Sequence, residues 1–191
     1  MPDEPPNSGY DVENFDSAAE QVGSRVGQVI GSYALYQEIG RGGMGMVYLA
    51  QNTSLERYAA IKFLGRHLTE DPVYVDMFLR EAKAAAKLNH PGIVQIYDAG
   101  CVEGNCYYMI MEFIDGQDLK SILTEKKLFT VNEAVDYVLQ SAAALGYAHK
   151  HHIIHRDIKP ENLILQRDGK LKVCDLGLAK RMGEDSSLTQ S

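Results

Sequence analysis

The chain has 191 residues, of which 45% are hydrophobic and 24% are charged, and this ordinary globular composition argues against a wholly disordered protein. Its net charge is −7, but residues 1–24 carry six acidic residues and no lysine or arginine, so the remaining chain is close to neutral. A near-neutral remainder lacks the basic excess that would favour nucleic acid as a partner.

An acidic leader and a small antiparallel sheet are the first predicted elements. Residues 1–30 are rich in Pro, Ser, Gly, Asn and acids, and they predict a disordered leader because they can bury little apolar surface. Five short strands follow, at residues 33–39, 46–50, 58–64, 93–98 and 106–112. Asp71-Pro72 opens a helix between the third and fourth strands, because proline suits the first helical turn. This part therefore predicts an antiparallel sheet with one helix.

The second region is mainly helical. A short helix is predicted over residues 118–125, and a long one begins at Thr130, which has the capping-box spacing to Glu133. Helical periodicity predicts that the long helix buries one apolar stripe, formed by Val131, Ala134, Val135, Val138, Leu139, Ala142, Leu145 and Ala148. Residues 163–165 and 171–174 predict a hairpin with an Asp-Gly turn.

Residues 155–162, His-Arg-Asp-Ile-Lys-Pro-Glu-Asn, gather the groups that phosphoryl transfer needs. Asp157 could accept a proton beside a cation, and Asn162 and Asp175 could hold a metal through oxygen atoms. In phosphoryl transfer the attacking hydroxyl loses a proton, while a metal and a fixed cation meet the charge on the phosphate oxygens. The loop therefore predicts this chemistry.

Two upstream features could supply an ATP site for the loop. Residues 40–45 have the pattern Gly-x-Gly-x-x-Gly, whose backbone N–H groups can approach anionic oxygens. Taken alone, the pattern fits an ordinary glycine-rich hairpin equally well. Its position between two strands disfavours a dinucleotide-binding fold, which places glycines between a strand and a helix. Lys62 on a strand and Glu81 on a helix both lie in apolar company and are expected to pair, which could aim the ammonium group at phosphates.

Together these motifs resemble the eukaryotic-type (Hanks-type) serine/threonine protein kinases, and the wording is similar to bacterial members. The motifs are the glycine loop, Ala59-Ala60-Ile61-Lys62, Glu81, His155-Arg156-Asp157 with Asn162, and Asp175-Leu176-Gly177. The resemblance covers the chain from about residue 33 onwards. It implies an α+β, two-lobe fold, with a small lobe of five antiparallel strands and one helix at residues 31–112. The hinge and the first part of a mainly helical, truncated large lobe would occupy residues 113–191.

The resemblance also implies a role for each site residue. Asp157 would orient the substrate hydroxyl and accept its proton, Lys159 would neutralise the transferred phosphoryl group, and Lys62 with Glu81 would serve catalysis on the ATP side. Asn162 and Asp175 would bind Mg²⁺. The residues that would bind ATP are Ile39, Gly40, Arg41, Gly42, Gly43, Met44, Gly45, Val47, Ala60, Lys62, Met111, Glu112, Ile114 and Ile164. The apolar members of this set would equally be core residues.

Partners and regulation follow from the same resemblance. It implies protein substrates with Ser or Thr acceptors and dimerisation for trans-autophosphorylation. Arg156 would receive a phosphate from the activation segment, although a polar tail explains the nearby hydroxyls equally well. Those hydroxyls belong to Ser186, Ser187, Thr189 and Ser191. Leu176 departs from the usual phenylalanine, and the sequence stops inside the activation segment, so an ATP-binding but inactive fragment is the alternative function.

Cysteines, histidines and hydropathy predict no further site. Cys101, Cys106 and Cys174 cannot all pair with one another, and we interpret them as reduced thiols of a cytoplasmic protein. Four histidines cluster at residues 149–155, but His151 and His152 are adjacent and cannot readily face one metal, which disfavours ligation. The sequence contains no signal peptide and no apolar run long enough to span a bilayer, so we expect no membrane attachment in this segment.

Overall fold

The structure is a computed structural model and describes residues 25–102 and 104–176. The chain divides into two compact units. The first comprises Met1–Ala82 with Ile96–Asp115, and the second comprises Lys83–Gln95 with Gly116–Ser191.

The first unit contains an antiparallel sheet of six strands. These are β1 (Val29–Ile30), β2 (Tyr33–Gly42), β3 (Gly45–Asn52), β4 (Tyr58–Leu64), β5 (Ile96–Val102) and β6 (Cys106–Glu112), in the order β1-β2-β3-β4-β6-β5. The short helix α1 (Arg66–Thr69) and the start of α2 (Pro72–Ala85) follow β4. The predicted strand at residues 58–64 and the proline start of α2 are confirmed. The fourth predicted strand was placed too early, since β5 begins at Ile96.

The sixth strand corrects the predicted strand count. Val29–Ile30 lies inside the predicted leader, yet it pairs with β2 through Val29↔Ala34 and Ile30↔Tyr33. Ile30 is 4% exposed and joins the core of the sheet, and the guanidinium of Arg25 lies 4.5 Å from the ring centroid of Phe63. A few apolar and cationic contacts therefore hold a segment whose average composition predicts disorder.

The second unit combines two helices with a small sheet. Helix α3 (Leu119–Lys126) and helix α4 (Val131–Lys150) precede a 3₁₀ turn at Pro160–Asn162. Strands β7 (Gly116–Asp118), β8 (Leu163–Gln166) and β9 (Leu171–Val173) form an antiparallel sheet in that order. The capping box at Thr130 and the hairpin at residues 163–174 are confirmed. No helix among the described residues is both long and apolar enough to cross a membrane.

The predicted buried stripe of α4 is largely wrong. Val131, Val135, Val138 and Leu139 are 79%, 52%, 65% and 63% exposed. The residues that α4 buries are Ser141, Ala144 and Ala148, and the two alanines share a core with the β9 residues Leu171 and Val173. Small side chains allow the backbone of α4 to come close to this core, and periodicity alone cannot decide which of two apolar faces is packed.

Candidate active site

The glycine pattern forms the connection between β2 and β3. The two strands pair as far as Gly42↔Gly45, so Gly43 and Met44 form the tip. A Cβ atom built on Gly42 or Gly43 would meet nothing within 4 Å, and neither residue has a positive φ. Gly45 differs, because its φ is 143° and a Cβ atom there would overlap the carbonyl oxygen of Phe63 in β4. The fold thus accounts for Gly45, whereas Gly42 and Gly43 leave space beside the backbone that a ligand could use.

Lys62 lies in the middle of β4 and is only 6% exposed. It pairs with Val47 of β3 and with Met109 of β6, while Ala60 pairs with Met111. Because side chains alternate along a strand, Val47, Ala60 and Lys62 lie on one face of the sheet. Val47 and Ala60, which are predicted to contact the adenine ring, therefore lie next to Lys62, the cation predicted to bind phosphate, on the same face of this sheet.

The other predicted nucleotide residues lie on β2, at the end of β6 and on β8. Ile39 is half-buried at a bulge of β2, Glu112 ends β6, and Ile114 is buried just after it. Ile164 is half-buried in β8 of the second unit. Glu81 is half-buried near the end of α2, and its pairing with Lys62 stays a prediction.

Asp157, Lys159 and Asn162 meet in one cluster of the second unit. The Lys159 ammonium lies 2.9 Å from Asp157 Oδ2. Asn162 is buried, and its Nδ2 donates to the Asp157 carbonyl oxygen at 2.8 Å and to Oδ2 at 3.2 Å. These bonds fix the carboxylate while leaving its side chain 35% exposed, as a group that must reach a substrate requires.

The charges in this cluster stabilise one another. The hydrogen bond from Lys159 is the largest cause of a lowered pKa for Asp157, and the bond from Asn162 acts in the same direction. The same contact with Asp157 raises the pKa of Lys159, and the carboxylate of Asp175 contributes to that rise. Asp157 and Lys159 are therefore both ionised at neutral pH.

His155 connects this loop to the segment before Asp175, a role that its sequence position did not reveal. The side chain is 2% exposed, and its Nε2 donates to the Cys174 carbonyl oxygen at 2.8 Å. Its Nδ1 accepts from the Asp157 backbone N–H at 3.3 Å, so the two contacts define one tautomer. A further bond, from the Cys174 N–H to the Asn162 carbonyl oxygen at 3.0 Å, reinforces the connection.

The backbone is strained at two positions of this site. Arg156 has a φ of 66° and Asp175 has a φ of 55°, both in the left-handed region that residues other than glycine rarely adopt. Such conformations persist where surrounding contacts hold them, and here hydrogen bonds of His155, Asp157 and Cys174 lie directly beside the two residues.

The donor set fits Mg²⁺. Because the Nδ2 of Asn162 is bonded to Asp157, its Oδ1 is the atom that could face a metal, and Asp175 adds a carboxylate from the adjoining segment. Mg²⁺ prefers oxygen atoms and commonly takes only one or two protein ligands, keeping water and phosphate oxygens for the rest. Among the described residues, no group of three or more His, Cys, Asp or Glu gathers as a metal site. Gly177 and the four hydroxyl residues of the predicted activation segment lie outside the described residues.

Comparison with known proteins places these features in a family. Residues 33–191 match the family described as "Protein kinase domain". A probable serine/threonine-protein kinase of Clostridium acetobutylicum is 42% identical over 165 residues, which are 86% of this chain and 25% of that protein. The serine/threonine-protein kinase PrkC of Bacillus subtilis is 40% identical over 158 residues, which are 83% of this chain and 24% of that protein.

A solved structure supports the same assignment. The crystal structure of the Mycobacterium tuberculosis PknI kinase domain has a TM-score of 0.73 and 29% identity, over 81% of this chain and 62% of that one. The predicted fold class is therefore confirmed. The chain spans about a quarter of the length of the curated relatives that it matches.

Proposed function

This chain belongs to the protein kinase domain family, and we propose that its protein is a serine/threonine protein kinase that transfers the γ-phosphoryl group of ATP to Ser or Thr hydroxyls of protein substrates. The observation that carries the proposal is the Asp157 carboxylate, which Lys159 and Asn162 hold in place and ionised while its side chain stays 35% exposed. Phosphoryl transfer needs a base that orients the attacking hydroxyl, and a fixed, ionised and accessible carboxylate meets that need.

On the acceptor side, Asp157 would accept a hydrogen bond from the substrate hydroxyl and finally its proton. Lys159, already bonded to that carboxylate, would place a positive charge beside the transferred phosphoryl group. Asn162 and Asp175 would hold Mg²⁺, which when bound supplies charge neutralisation to the phosphate oxygens. His155 would keep the two segments that carry these groups in register.

On the nucleotide side, the backbone N–H groups at residues 42–45 would approach the phosphates, and Lys62 would supply a cation to them. Glu81 would orient Lys62. Val47 and Ala60 would contact the adenine ring, whose edge would bond to backbone groups of residues 112–114. These roles rest on the family's motifs and on the shared sheet face described above.

The alternative, an ATP-binding but inactive fragment, is not favoured, because every chemistry-bearing residue of the motif set is present and the relatives are named as kinases. We also propose protein substrates and a cytoplasmic location. Dimerisation for trans-autophosphorylation stays a prediction.

A phosphotransfer assay with two matched variants tests the proposal. Asp157–Lys159 and Asp168–Lys170 are both Asp–Lys pairs two residues apart, but Asp168 lies in the β8–β9 turn. We expect Mg²⁺-dependent phosphate incorporation that Asp157→Asn lowers by about 10²- to 10⁴-fold, the contribution typical of a general base. Asp168→Asn should leave the rate unchanged. Equal rates for the purified wild-type chain and Asp157→Asn would overturn the kinase proposal.

A further inference from the structure

The glycine turn, residues 40–45, contains one charged side chain, that of Arg41. The guanidinium of Arg41 is bonded to Glu38, which precedes the turn in β2. Arg41 donates from Nε to Glu38 Oε1 at 2.7 Å and from its terminal nitrogen to Oε2 at 2.6 Å. The two parallel bonds match the planar guanidinium to the carboxylate, a geometry that lysine could not reproduce. The Tyr48 hydroxyl lies 3.4 Å from the same Oε2 and can donate to it.

The strand register shows on which face of the sheet this contact lies. Arg41 pairs with Met46 and Glu38 pairs with Tyr48, whereas Val47 between them pairs with Lys62. Because side chains alternate along β3, Met46 and Tyr48 lie on the face opposite to Val47 and Lys62. The side chain of Arg41 is therefore held on the face that does not carry Lys62.

The contact also bridges an irregularity in the strand. The pairing of β2 with β3 shifts between Glu38 and Gly40, so Ile39 is the extra residue of a bulge. A bulge bends its strand and sets the direction in which the chain continues. Glu38 lies before the bulge and Arg41 after it, so their ion pair spans the bend that leads into the glycine turn.

Tyr48 anchors this contact to the core of the first unit. It is fully buried, and its ring meets Phe63 edge to face at a centroid distance of 5.8 Å. The carboxylate of Glu38 is thus bonded on one side to an exposed arginine and on the other to a fixed hydroxyl. A rigid partner reduces the conformational entropy that an exposed ion pair must otherwise overcome.

We propose that Glu38 is a positioning residue for the nucleotide, which with Tyr48 clamps Arg41 behind the glycine turn. In this arrangement the Arg41 side chain supports the turn and does not bind phosphate. The turn then binds the phosphates through its backbone N–H groups alone. The proposal rests on the proposed function, in which the glycine turn binds ATP.

Nucleotide affinity and amide exchange together test the clamp. The variants are Glu38→Gln, Arg41→Gln and the double variant, with Asp76→Asn as control because Asp76 forms an exposed pair with Arg80 on α2. The Kd is measured by calorimetric titration with a non-hydrolysable ATP analogue and Mg²⁺. Hydrogen exchange of the backbone amides is followed at residues 40–45. We expect each single variant to raise the Kd by about two- to fivefold, the range of an exposed ion pair. The double variant should add nothing to the larger single effect, and the control should match wild type.

Three outcomes would overturn the clamp. Unchanged exchange at residues 40–45 in Glu38→Gln would show that the pair does not fix the turn. A higher Kd for Arg41→Gln but not for Glu38→Gln would make Arg41 a phosphate ligand, and tighter binding by Glu38→Gln would show that freed Arg41 reaches the phosphates. If wild type binds no nucleotide, the proposed function fails instead, and exchange still decides whether the clamp exists.

Discussion

Asp157 has to be exposed and fixed at the same time, and its neighbours provide both conditions. Lys159 and Asn162 bond to the carboxylate from two directions, yet a third of the side chain stays accessible. A carboxylate held in this way is a weak base with a well-defined direction. Such a group suits a reaction in which the proton leaves late and orientation matters more than basicity.

The titration of Asp157 should depend on Lys159. Because the hydrogen bond from Lys159 is the largest cause of the lowered pKa, Lys159→Met should raise the pKa of Asp157 toward its ordinary value of 3.8. The pair stabilises the folded state above the unfolded pKa, and this contribution is lost as pH falls through the lowered folded pKa. A carbon-13 NMR titration of the Asp157 carboxyl group measures the shift.

Lys170→Met is the matched control for this titration. Lys170 lowers the pKa of Asp168 in the same way, through a contact of 2.6 Å. The control should move the titration of Asp168 and leave that of Asp157 in place. An Asp157 pKa that does not move in Lys159→Met would contradict the assigned cause.

The sequence identified the chemistry-bearing residues but not the bonds that orient them. Asp157, Lys159, Asn162 and Asp175 stand out because their types and spacing match a reaction. The bond from His155 to the Cys174 carbonyl oxygen spans nineteen residues and depends on how β9 returns to the loop. Spacing carries no information about such a bond, and the same holds for the contact of Glu38 with Tyr48 on the neighbouring strand.

At the scale of elements, the start of α4 shows local sequence acting directly. Thr130 Oγ1 accepts from the Glu133 N–H at 3.2 Å, and Glu133 Oε2 accepts from the Thr130 N–H at 2.9 Å. These bonds pair two backbone N–H groups that have no hydrogen-bond partner within the helix, because they lie at its start. With Lys126 they lower the pKa of Glu133 to about 2, the backbone bond from Thr130 being the largest cause.

Thr130→Ala should therefore destabilise the second unit. We expect a loss of about 1 kcal/mol in the free energy of unfolding, measured by urea denaturation at neutral pH. The Glu133 half of the box is fully present above pH 4.5 and is lost as pH falls toward about 2, because the folded pKa is the lower one. Thr124→Ala is the control, since the Thr124 hydroxyl bonds back to the Lys120 carbonyl oxygen within α3 and its loss should change stability by less than about 0.5 kcal/mol. Equal effects of the two variants would contradict the capping role.

Two predictions about elements were wrong, those for the strand Val29–Ile30 and for the buried stripe of α4, and they have different causes. The strand at Val29–Ile30 was hidden because composition averages over a window in which Ile30 is a small apolar minority. The buried stripe of α4 was predicted on the wrong residues because the helix is apolar on two faces, and its burial depends on β9, which begins at Leu171, 21 residues after α4 ends at Lys150. In both cases a tertiary contact decided what local pattern left open.

For the molecule as a whole, each unit carries its own core. Tyr48, Ile61 and Phe63 are buried in the first, and Leu171 and Val173 are buried with the alanines of α4 in the second. The order of elements and motifs was predictable because each motif is tied to a strand, a turn or a helix start. A ligand bound by folded residues stabilises them by mass action, so nucleotide binding should be visible in unfolding.

Lys62 provides the sharpest test at this scale. It is buried on the face that also carries Val47 and Ala60, and methionine has a similar length, so Lys62→Met should retain the packing of β4. With Mg²⁺ and the non-hydrolysable ATP analogue at about 100 times Kd, the wild-type chain should gain about 2.7 kcal/mol in unfolding free energy. Lys62→Met should lose most of this gain at the same ligand concentration.

Lys172→Met is the matched control, because Lys172 is also a buried strand lysine but lies on β9 and outside the predicted nucleotide set. It can change the stability of the ligand-free chain, so the quantity to compare is the gain on adding nucleotide. If Lys172→Met retains the gain and Lys62→Met does not, burial of a lysine is not sufficient and the position on β4 is what binds phosphate. If both retain it, Lys62 has only a structural role and the ATP site must be assigned to other residues.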